Sequence, residues 1–102
     1  MSISLKPLDQ QVIVITGATS GIGLATARMA AKAGARLVLA ARSERALGQL
    51  VEEIGGQGGS AVAVAVDVAD EASAAAISAR AKQAFGGFDT WVNNAGTGVY
   101  GR

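Results

Sequence analysis

The sequence contains neither cysteine nor histidine, and these two absences exclude several functions before any motif is considered. Without cysteine the chain forms no disulfide and offers no thiolate ligand to a metal ion. Without histidine it lacks the commonest metal ligand and the commonest general base. We therefore expect no metal site in these 102 residues and no catalysis that depends on an imidazole.

Charge and long apolar runs are also scarce. Nine basic and eight acidic residues give a net charge of +1, and no basic run stands out, so we expect no nucleic-acid partner. The apolar runs are far shorter than the roughly 20 residues of a membrane-spanning helix, so we expect no membrane partner either. The first residues, MSISLKPLDQQ, have no apolar segment behind their lysine. We therefore expect no secretory signal, and a cytoplasmic location.

Small aliphatic residues are what the sequence has in abundance. Hydrophobic residues make up 50% of the chain but aromatic residues only 4%, so the apolar content is mostly alanine, valine, isoleucine and leucine. These residues are typical of helices packed closely on a sheet. The length is sufficient for one domain with a real core and too short for two, so we expect a single domain over residues 1–102.

Apolar β-branched runs alternate with helical patterns along the whole chain. Four runs are predicted as strands: QVIVITG, ARLVLAAR, AVAVAVDV and FDTWVNNAG. The resulting order β-α-β-α-β-α-β predicts an α/β fold, a partial Rossmann-type doubly wound parallel sheet with helices on both faces and strand order 3-2-1-4. Ligands of such sheets bind beyond the carboxyl ends of the strands, where the strand order reverses, here between strands 1 and 4.

The apolar spacing also predicts which helix faces are buried. In the first helix the predicted core positions are Ile22, Ala25, Met29 and Ala33. In the second they are Ala46, Leu47, Leu50, Val51 and Ile54, after Ser43 as the N-cap. The third helix is expected to hold Asp70 and Glu71 in its first turn, where the helix dipole favours anions, and to bury Ile77 and Phe85.

The glycine-rich stretch TGATSGIG lies between the first strand and the first helix. Gly17 would allow the sharp turn out of the strand, Gly21 would let the backbone approach a pyrophosphate, and Gly23 would let the helix pack close to the sheet. The helix N-terminus would offer free N–H groups to the phosphates, and Thr19 and Ser20 would add hydroxyl donors. The alternative is an ordinary glycine-rich turn. A Walker-type phosphate loop is excluded because no Gly-Lys-Ser/Thr is present.

Residues at the ends of strands 2 and 3 extend this predicted site. Arg42 stands where an acidic residue would bind the hydroxyls of an adenosine ribose, and its guanidinium suits a 2′-phosphate instead. Arg45 could add a second contact, whereas pairing of Arg42 with Glu44 would make it an ordinary surface residue. Asp67 and Val68 could contact adenine through an acceptor and an apolar wall, or Asp67 could only shape its loop.

These motifs together resemble the short-chain dehydrogenase/reductase family: TGATSGIG, DV after strand 3 and NNAG after strand 4 follow its order and spacing from Val12 onward. The resemblance implies that the chain binds NAD(P). In the family a basic residue at the position of Arg42 goes with a preference for NADP, and NAD is the alternative. Some members carry a second basic residue just before the middle glycine, where this chain has Ser20. The predicted preference therefore depends on Arg42 alone. The other implied cofactor-binding residues are Gly17, Ala18, Thr19, Ser20, Gly21, Ile22, Gly23, Asp67, Val68, Asn94, Ala95 and Gly96.

The resemblance also implies a reaction, hydride transfer between nicotinamide and a small carbonyl or alcohol substrate, and a homo-oligomer for the complete protein. The family uses a serine, a tyrosine and a lysine four residues after the tyrosine. The only tyrosine here is Tyr100, and no residue stands four positions beyond it, so no catalytic residue is assigned. We expect the cofactor-binding part of an oxidoreductase, inactive by itself. The alternatives are a non-catalytic dinucleotide-binding module and, less favoured, a methyltransferase with the same half-fold.

Overall fold

The computed structural model describes residues 6–94. A short 3₁₀ turn at Leu8–Gln10 precedes four strands and three helices in strict alternation, as predicted. The elements are β1 (Val12–Thr16), α1 (Gly21–Lys32), β2 (Arg36–Ala41), α2 (Glu44–Gly56), β3 (Ser60–Ala65), α3 (Ala72–Phe85) and β4 (Thr90–Asn93). Within residues 6–94, no helix has the length and apolar character needed to cross a bilayer.

The four strands form one parallel sheet in the order β3-β2-β1-β4, which confirms the predicted topology. The strand order reverses beside β1, because β2 follows it on one side and β4 returns to its other side. Val14 at the centre of β1 pairs with Val38 of β2 and with Trp91 of β4. All five residues of β1 are buried, as expected for a continuous apolar strand that is covered on both faces.

Alternate side chains of the central strands point to opposite faces of the sheet and form two cores. The face covered by α1 and α2 holds the larger side chains, and the face covered by α3 holds the smaller ones. The first core includes Ile13, Ile15, Leu37 and Leu39 with Leu47, Leu50 and Ile54 of α2. The second includes Val12, Val14, Val38 and Ala40 with Ile77 and Ala81 of α3. The prediction of helices on both faces is therefore confirmed.

The predicted face of helix α2 is confirmed for its three largest members, whereas Ala46 and Val51 are only half-buried. Leu47, Leu50 and Ile54 are buried against the sheet. The Ser43 side chain accepts a hydrogen bond from the backbone N–H of Ala46 at 3.1 Å, which caps the helix.

The predicted buried face of α1 is wrong. Ile22 and Met29 are 75% and 71% exposed, and the residues that face the sheet are Gly23, Ala27 and Ala30. The reason is distance: a Cβ atom at position 23 would lie 2.0 Å from the carbonyl oxygen of Gly17. Helix α1 thus approaches the sheet so closely that its inner face accepts only small residues, and the larger side chains lie elsewhere.

The predicted start of α3 is also wrong, because the helix begins at Ala72 and leaves Asp70 and Glu71 before it. The carboxylate of Asp70 accepts a hydrogen bond from the N–H of Ala72 at 3.0 Å. Such short-range bonds from an aspartate to nearby backbone favour a turn over a helical conformation. Asp70 therefore holds the turn that leads into the helix.

Candidate functional site

The glycine loop crosses the carboxyl end of the sheet between β1 and α1. Gly17 has φ +62°, a left-handed conformation that glycine adopts without strain, so the predicted turn at the end of β1 is confirmed. The next residue, Ala18, is fully buried, and its N–H donates to the carbonyl oxygen of Ala40 at 3.2 Å. The loop is thereby fixed to the end of β2 as well as to β1.

The two further glycines of this loop differ in their surroundings. Gly21 has φ +55°, and no atom lies within 4 Å of the place where its Cβ would be. At Gly23 the added Cβ would lie 2.0 Å from the carbonyl oxygen and 2.8 Å from the carbonyl carbon of Gly17. The prediction that Gly23 permits close packing is confirmed. Gly21 instead leaves open space beside the first turn of α1.

The N-terminus of α1 has no side-chain cap. Ser20 is extended, with φ −151° and ψ 157°, its side chain makes no capping hydrogen bond, and the first turn contains no acidic residue. Helix α2 begins at the same edge of the sheet, but it is capped by Ser43 and has Glu44 in its first turn. The first N–H groups of α1 are therefore left for an acceptor of another kind, and the helix dipole favours an anion there.

A cleft of about 840 Å³ lies at the carboxyl ends of the strands, at the predicted position. It brings together the ends of all four strands. Its lining residues are Gly17, Thr19 and Ser20 after β1, Ala41, Arg42 and Ser43 after β2, Val66, Asp67, Val68 and Ala69 after β3, and Asn93 of β4.

The cleft contains about half of the residues predicted to bind the cofactor. Those that line it are Gly17, Thr19, Ser20, Arg42, Asp67 and Val68. Those that do not are Ala18 and Gly23, which are buried, Gly21 and Ile22, which are exposed at the start of α1, and Asn94, which follows β4. The predicted contacts of Ala95 and Gly96 lie outside the described residues.

Arg42 is exposed on the wall of the cleft. Among residues 6–94 no carboxylate lies within ion-pair distance of it, so the alternative pairing with Glu44 is not formed. Arg45 is exposed and is not among the lining residues. The cleft therefore has one guanidinium that is not neutralised by a neighbouring acid.

Asp67 has the loop-forming role that its sequence left open, and it also lines the cleft. Its Oδ1 atom accepts a hydrogen bond from the N–H of Ala69 at 3.0 Å. The N–H of Val66 donates to the carbonyl oxygen of Ala41 at 2.9 Å, so the chain after β3 stays against the end of β2. These bonds hold the segment with Asp67 and Val68 at the cleft, beyond the carboxyl end of β3.

The sequence did not predict the hydrogen bonds that join the ends of β1 and β4. Thr16 is 2% exposed, and its Oγ1 donates to Oδ1 of Asn93 at 2.7 Å and accepts from the N–H of Asn94 at 3.0 Å. The Nδ2 atom of Asn94 is buried and has no hydrogen-bond partner within the described part of the chain. In the sequence this network is indicated only by two pairs of neighbours: Thr16 directly precedes Gly17, and Asn93 directly precedes Asn94.

A second depression of about 620 Å³ lies at the opposite edge of the sheet and differs in character. Two of its charged groups are paired, because Arg28 donates two hydrogen bonds to the carboxylate of Glu53 at 2.9 and 3.0 Å. This hydrogen bonding lowers the pKa of Glu53 and raises that of Arg28. Lys32 also lines the depression and forms no ion pair within residues 6–94, so the depression differs from the cleft mainly in lacking an uncapped helix N-terminus.

The sheet order and the glycine loop at the reversal point define a doubly wound α/β protein of the Rossmann type. The sequence profile of the short chain dehydrogenases matches residues 11–101. The chain therefore belongs to the short-chain dehydrogenase/reductase family.

Individual relatives agree with this assignment. The chain is 52% identical, over 97% of its own length and 28% of the relative's, to the uncharacterized oxidoreductase YxnA of Bacillus subtilis. It is 51% identical, over 83% of its length and 31% of the relative's, to the putative ketoacyl reductase 1 of the granaticin polyketide synthase of Streptomyces violaceoruber.

Solved structures give the same result. The L-sorbose reductase of Gluconobacter frateurii, complexed with NADPH and L-sorbose, has a TM-score of 0.82 and 44% identity over 85% of this chain and 34% of its own. A short-chain dehydrogenase/reductase of Burkholderia phymatum in complex with NAD has a TM-score of 0.80 and 37% identity over 85% of this chain and 31% of its own. The chain thus spans no more than about a third of the length of these relatives.

Proposed function

We propose that the cleft at the carboxyl ends of the strands binds a nicotinamide dinucleotide, with NADP favoured over NAD. The protein that carries this chain would use it to transfer a hydride between nicotinamide and a small carbonyl or alcohol substrate. The observation that carries the proposal is that two features meet in one cleft: the loop before an uncapped helix N-terminus, and an arginine that has no acidic partner within residues 6–94.

The pyrophosphate would lie against the glycine loop and the first turn of α1. The free N–H groups and the dipole of α1 favour an anion at this position. The open space at Gly21 fits such a group, because no protein atom occupies the place where a side chain would project. The hydroxyl groups of Thr19 and Ser20, which line the cleft, would supply further donors. Ala18, Ile22 and Gly23 would contribute through their backbone and by holding the loop in shape.

Arg42 would bind the 2′-phosphate that distinguishes NADP from NAD. Its guanidinium matches a phosphate in charge and in the geometry of its donors. No carboxylate within residues 6–94 neutralises it, and none stands at its position to repel the phosphate. Asp67 and Val68, which also line the cleft, would contact the adenine.

The last strand would hold the nicotinamide end of the cofactor. Asn94, together with Ala95 and Gly96, would contact the ribose next to the nicotinamide. The orphaned Nδ2 atom of Asn94 is one donor for which the described residues provide no acceptor. When bound, the reduced cofactor would give a hydride to a carbonyl substrate, and the oxidised cofactor would take one from an alcohol. No catalytic residue is assigned within the 102 residues; a homo-oligomer and a cytoplasmic location remain predictions.

Titration of NADPH and NADH into the protein at its full encoded length tests the proposal. A charged hydrogen bond contributes about 1.5–3 kcal/mol, so we expect NADPH to bind roughly tenfold or more tightly than NADH. Arg42→Ala should lose most of this preference while it keeps its affinity for NADH. Arg45→Ala removes the same charge outside the cleft, and its preference should be unchanged. Equal affinities of the unmodified protein for both cofactors would refute the role of Arg42.

The alternative is a dinucleotide-binding module without catalysis, which the absence of an assigned catalytic residue keeps open. Binding of NADPH without its consumption, across a panel of ketoses, ketoacyl esters and simple ketones, would favour the module. Turnover with any of them would establish the oxidoreductase.

A further inference from the structure

Side-chain hydrogen bonds join β1 and β4 at both ends of the strand pair. At the carboxyl end, the Thr16 hydroxyl donates to Oδ1 of Asn93 at 2.7 Å and accepts from the N–H of Asn94 at 3.0 Å. At the amino end, Oδ2 of Asp89 accepts from the N–H of Val12 at 2.8 Å, and the N–H of Asp89 donates to the carbonyl oxygen of Val12 at 2.8 Å. The first and the last residue of β1 are therefore both bonded to residues at the ends of β4.

Asp89 lies directly before β4 and contacts one residue of β1 through two groups. Its carboxylate and its backbone N–H both bond to Val12, so a shift of β4 along β1 would break both bonds. β4 has only four residues, Thr90–Asn93, so its own ladder with β1 is short. The bonds beside its two ends therefore have a large share in fixing its register.

The other polar contacts at this end are more exposed than the bond to Val12. Nζ of Lys6 lies 2.9 Å from Oδ1 of Asp89, but the Lys6 side chain is 58% exposed, and an exposed ion pair contributes little. The hydroxyl of Thr90 donates to Gln11 at 2.7 Å, also at the surface. Val12 is only 4% exposed, so removal of the Asp89 carboxylate would take the acceptor from a buried N–H.

The opposite end of β4 reaches the cleft. Asn93 lines it, and Asn94, the proposed contact of the nicotinamide end, is the next residue. The four steps along β1 from Val12 to Thr16 span about 13 Å. An extended strand stretches little, so a shift of β4 at Asp89 would move Asn93 and Asn94 by a similar distance.

We propose that Asp89 is a positioning residue for the nicotinamide end of the cleft: its carboxylate holds β4 in register with β1, and this register places Asn93 and Asn94 for the cofactor. The inference rests on the proposed binding of a nicotinamide dinucleotide. Asp89 does not line the cleft, so it acts through β4 and not by contact. The proposed adenine end is built from the segments after β2 and β3 and does not depend on the register of β4.

Two ligands separate the two ends of the cleft. Adenosine 2′,5′-bisphosphate carries the adenine and the 2′-phosphate without the nicotinamide, and NADPH carries all three. Both are titrated into the protein at its full encoded length. We expect Asp89→Ala to weaken the binding of NADPH at least roughly fivefold, the equivalent of one ordinary hydrogen bond, and to leave that of the bisphosphate unchanged. Equal weakening of both ligands, or of neither, would overturn the proposal.

Conservative variants distinguish register from charge and from stability. Asp89→Asn keeps an oxygen acceptor for Val12, and Lys6→Ala removes only the ion pair, so both should keep the affinity ratio of the unmodified protein. Ile54→Val lowers stability from the core beneath α2 and should also keep this ratio. A ratio that changes as much in Ile54→Val as in Asp89→Ala would attribute the effect to lost stability and overturn the proposal.

A further variant decides the question where Asp89→Ala does not fold. Asp89→Glu keeps the charge but displaces the acceptor by one methylene, so it should weaken NADPH more than Asp89→Asn does. The reverse order would assign the effect to charge and overturn the proposal. Failure of the unmodified protein to bind either ligand would refute the proposed function and this role together. Normal binding that Asp89→Ala leaves unchanged would refute only the role of Asp89.

Discussion

The substitution Gly23→Ala probes the contact that fixes the glycine loop beneath α1. The methyl group would lie 2.0 Å from the carbonyl oxygen of Gly17, well inside the 3.0 Å that real Cβ atoms respect. The obstacle is backbone, so no side chain can rotate away. Either α1 must move outward by about 1 Å or the turn at Gly17 must change.

Two opposing terms set the magnitude. Overpacking a well-packed site usually costs about 1–3 kcal/mol, and a rigid backbone obstacle favours the upper end. Alanine in place of glycine within a helix returns about 1 kcal/mol. We expect Gly23→Ala to lower the free energy of unfolding by about 2 kcal/mol, and to weaken cofactor binding because the loop moves.

Two other glycines serve as controls in the same assay, urea unfolding of the protein at its full encoded length. Gly48 lies in α2 with no atom within 4 Å of its Cβ position, so Gly48→Ala should raise the free energy of unfolding by about 0.5–1 kcal/mol. Gly21→Ala meets no atom but adopts φ +55°, so it should cost about 1–2 kcal/mol. A Gly23→Ala protein as stable as Gly48→Ala would refute the close approach of α1.

Two further predictions concern the helix start and the acid stability. Ser43→Ala should lower the free energy of unfolding by about 1 kcal/mol, because it removes the cap of α2. Ser20→Ala should have little effect, because the Ser20 side chain makes no capping hydrogen bond. Equal effects of the two substitutions in urea unfolding would contradict this difference. Hydrogen bonds donated by Lys6 and by the N–H of Val12 lower the pKa of Asp89. The ionised Asp89 therefore stabilises the fold fully above its unfolded pKa of about 3.9. This stabilisation is lost as the pH falls through the lower pKa of the folded state. Asp89→Asn should therefore lower the melting temperature at neutral pH and flatten its fall in acid; a pH profile parallel to that of the unmodified protein would count against it.

The sequence predicted the sheet correctly because its signals are strong and local. Each strand is a continuous apolar run, and the alternation with helices leaves little freedom in a parallel fold. The position of the cleft follows from the same topology, since the glycine loop, Arg42 and Asp67 all come directly after strands. Spacing alone did not decide whether Asp67 shapes its loop or faces a ligand, and the structure shows that it accepts a bond from Ala69 while it lines the cleft.

The errors come from features that spacing does not encode. The stripe that includes Ile22 and Met29 was predicted as core from its helical spacing, but the approach of α1 at Gly23 reserves the inner face for small residues. The bond between Thr16 and Asn93 joins residues 77 positions apart and depends on the register of β1 against β4. Neither the distance between two layers nor the register of two strands is visible in one sequence.

The contrast between α1 and α2 bears most directly on the proposed function. Both helices begin at the carboxyl edge of the sheet, yet only α2 has a serine cap and an acidic residue in its first turn. A cap is worth about 1 kcal/mol, so α1 gives up stability that a single side chain would supply. Gly21, the first residue of α1, adds to this cost, because glycine loses more conformational entropy on folding than any other residue. A phosphate group accepting from the free N–H groups would restore this loss on binding, and it would do so beside Arg42, where a second phosphate suits the unpaired guanidinium.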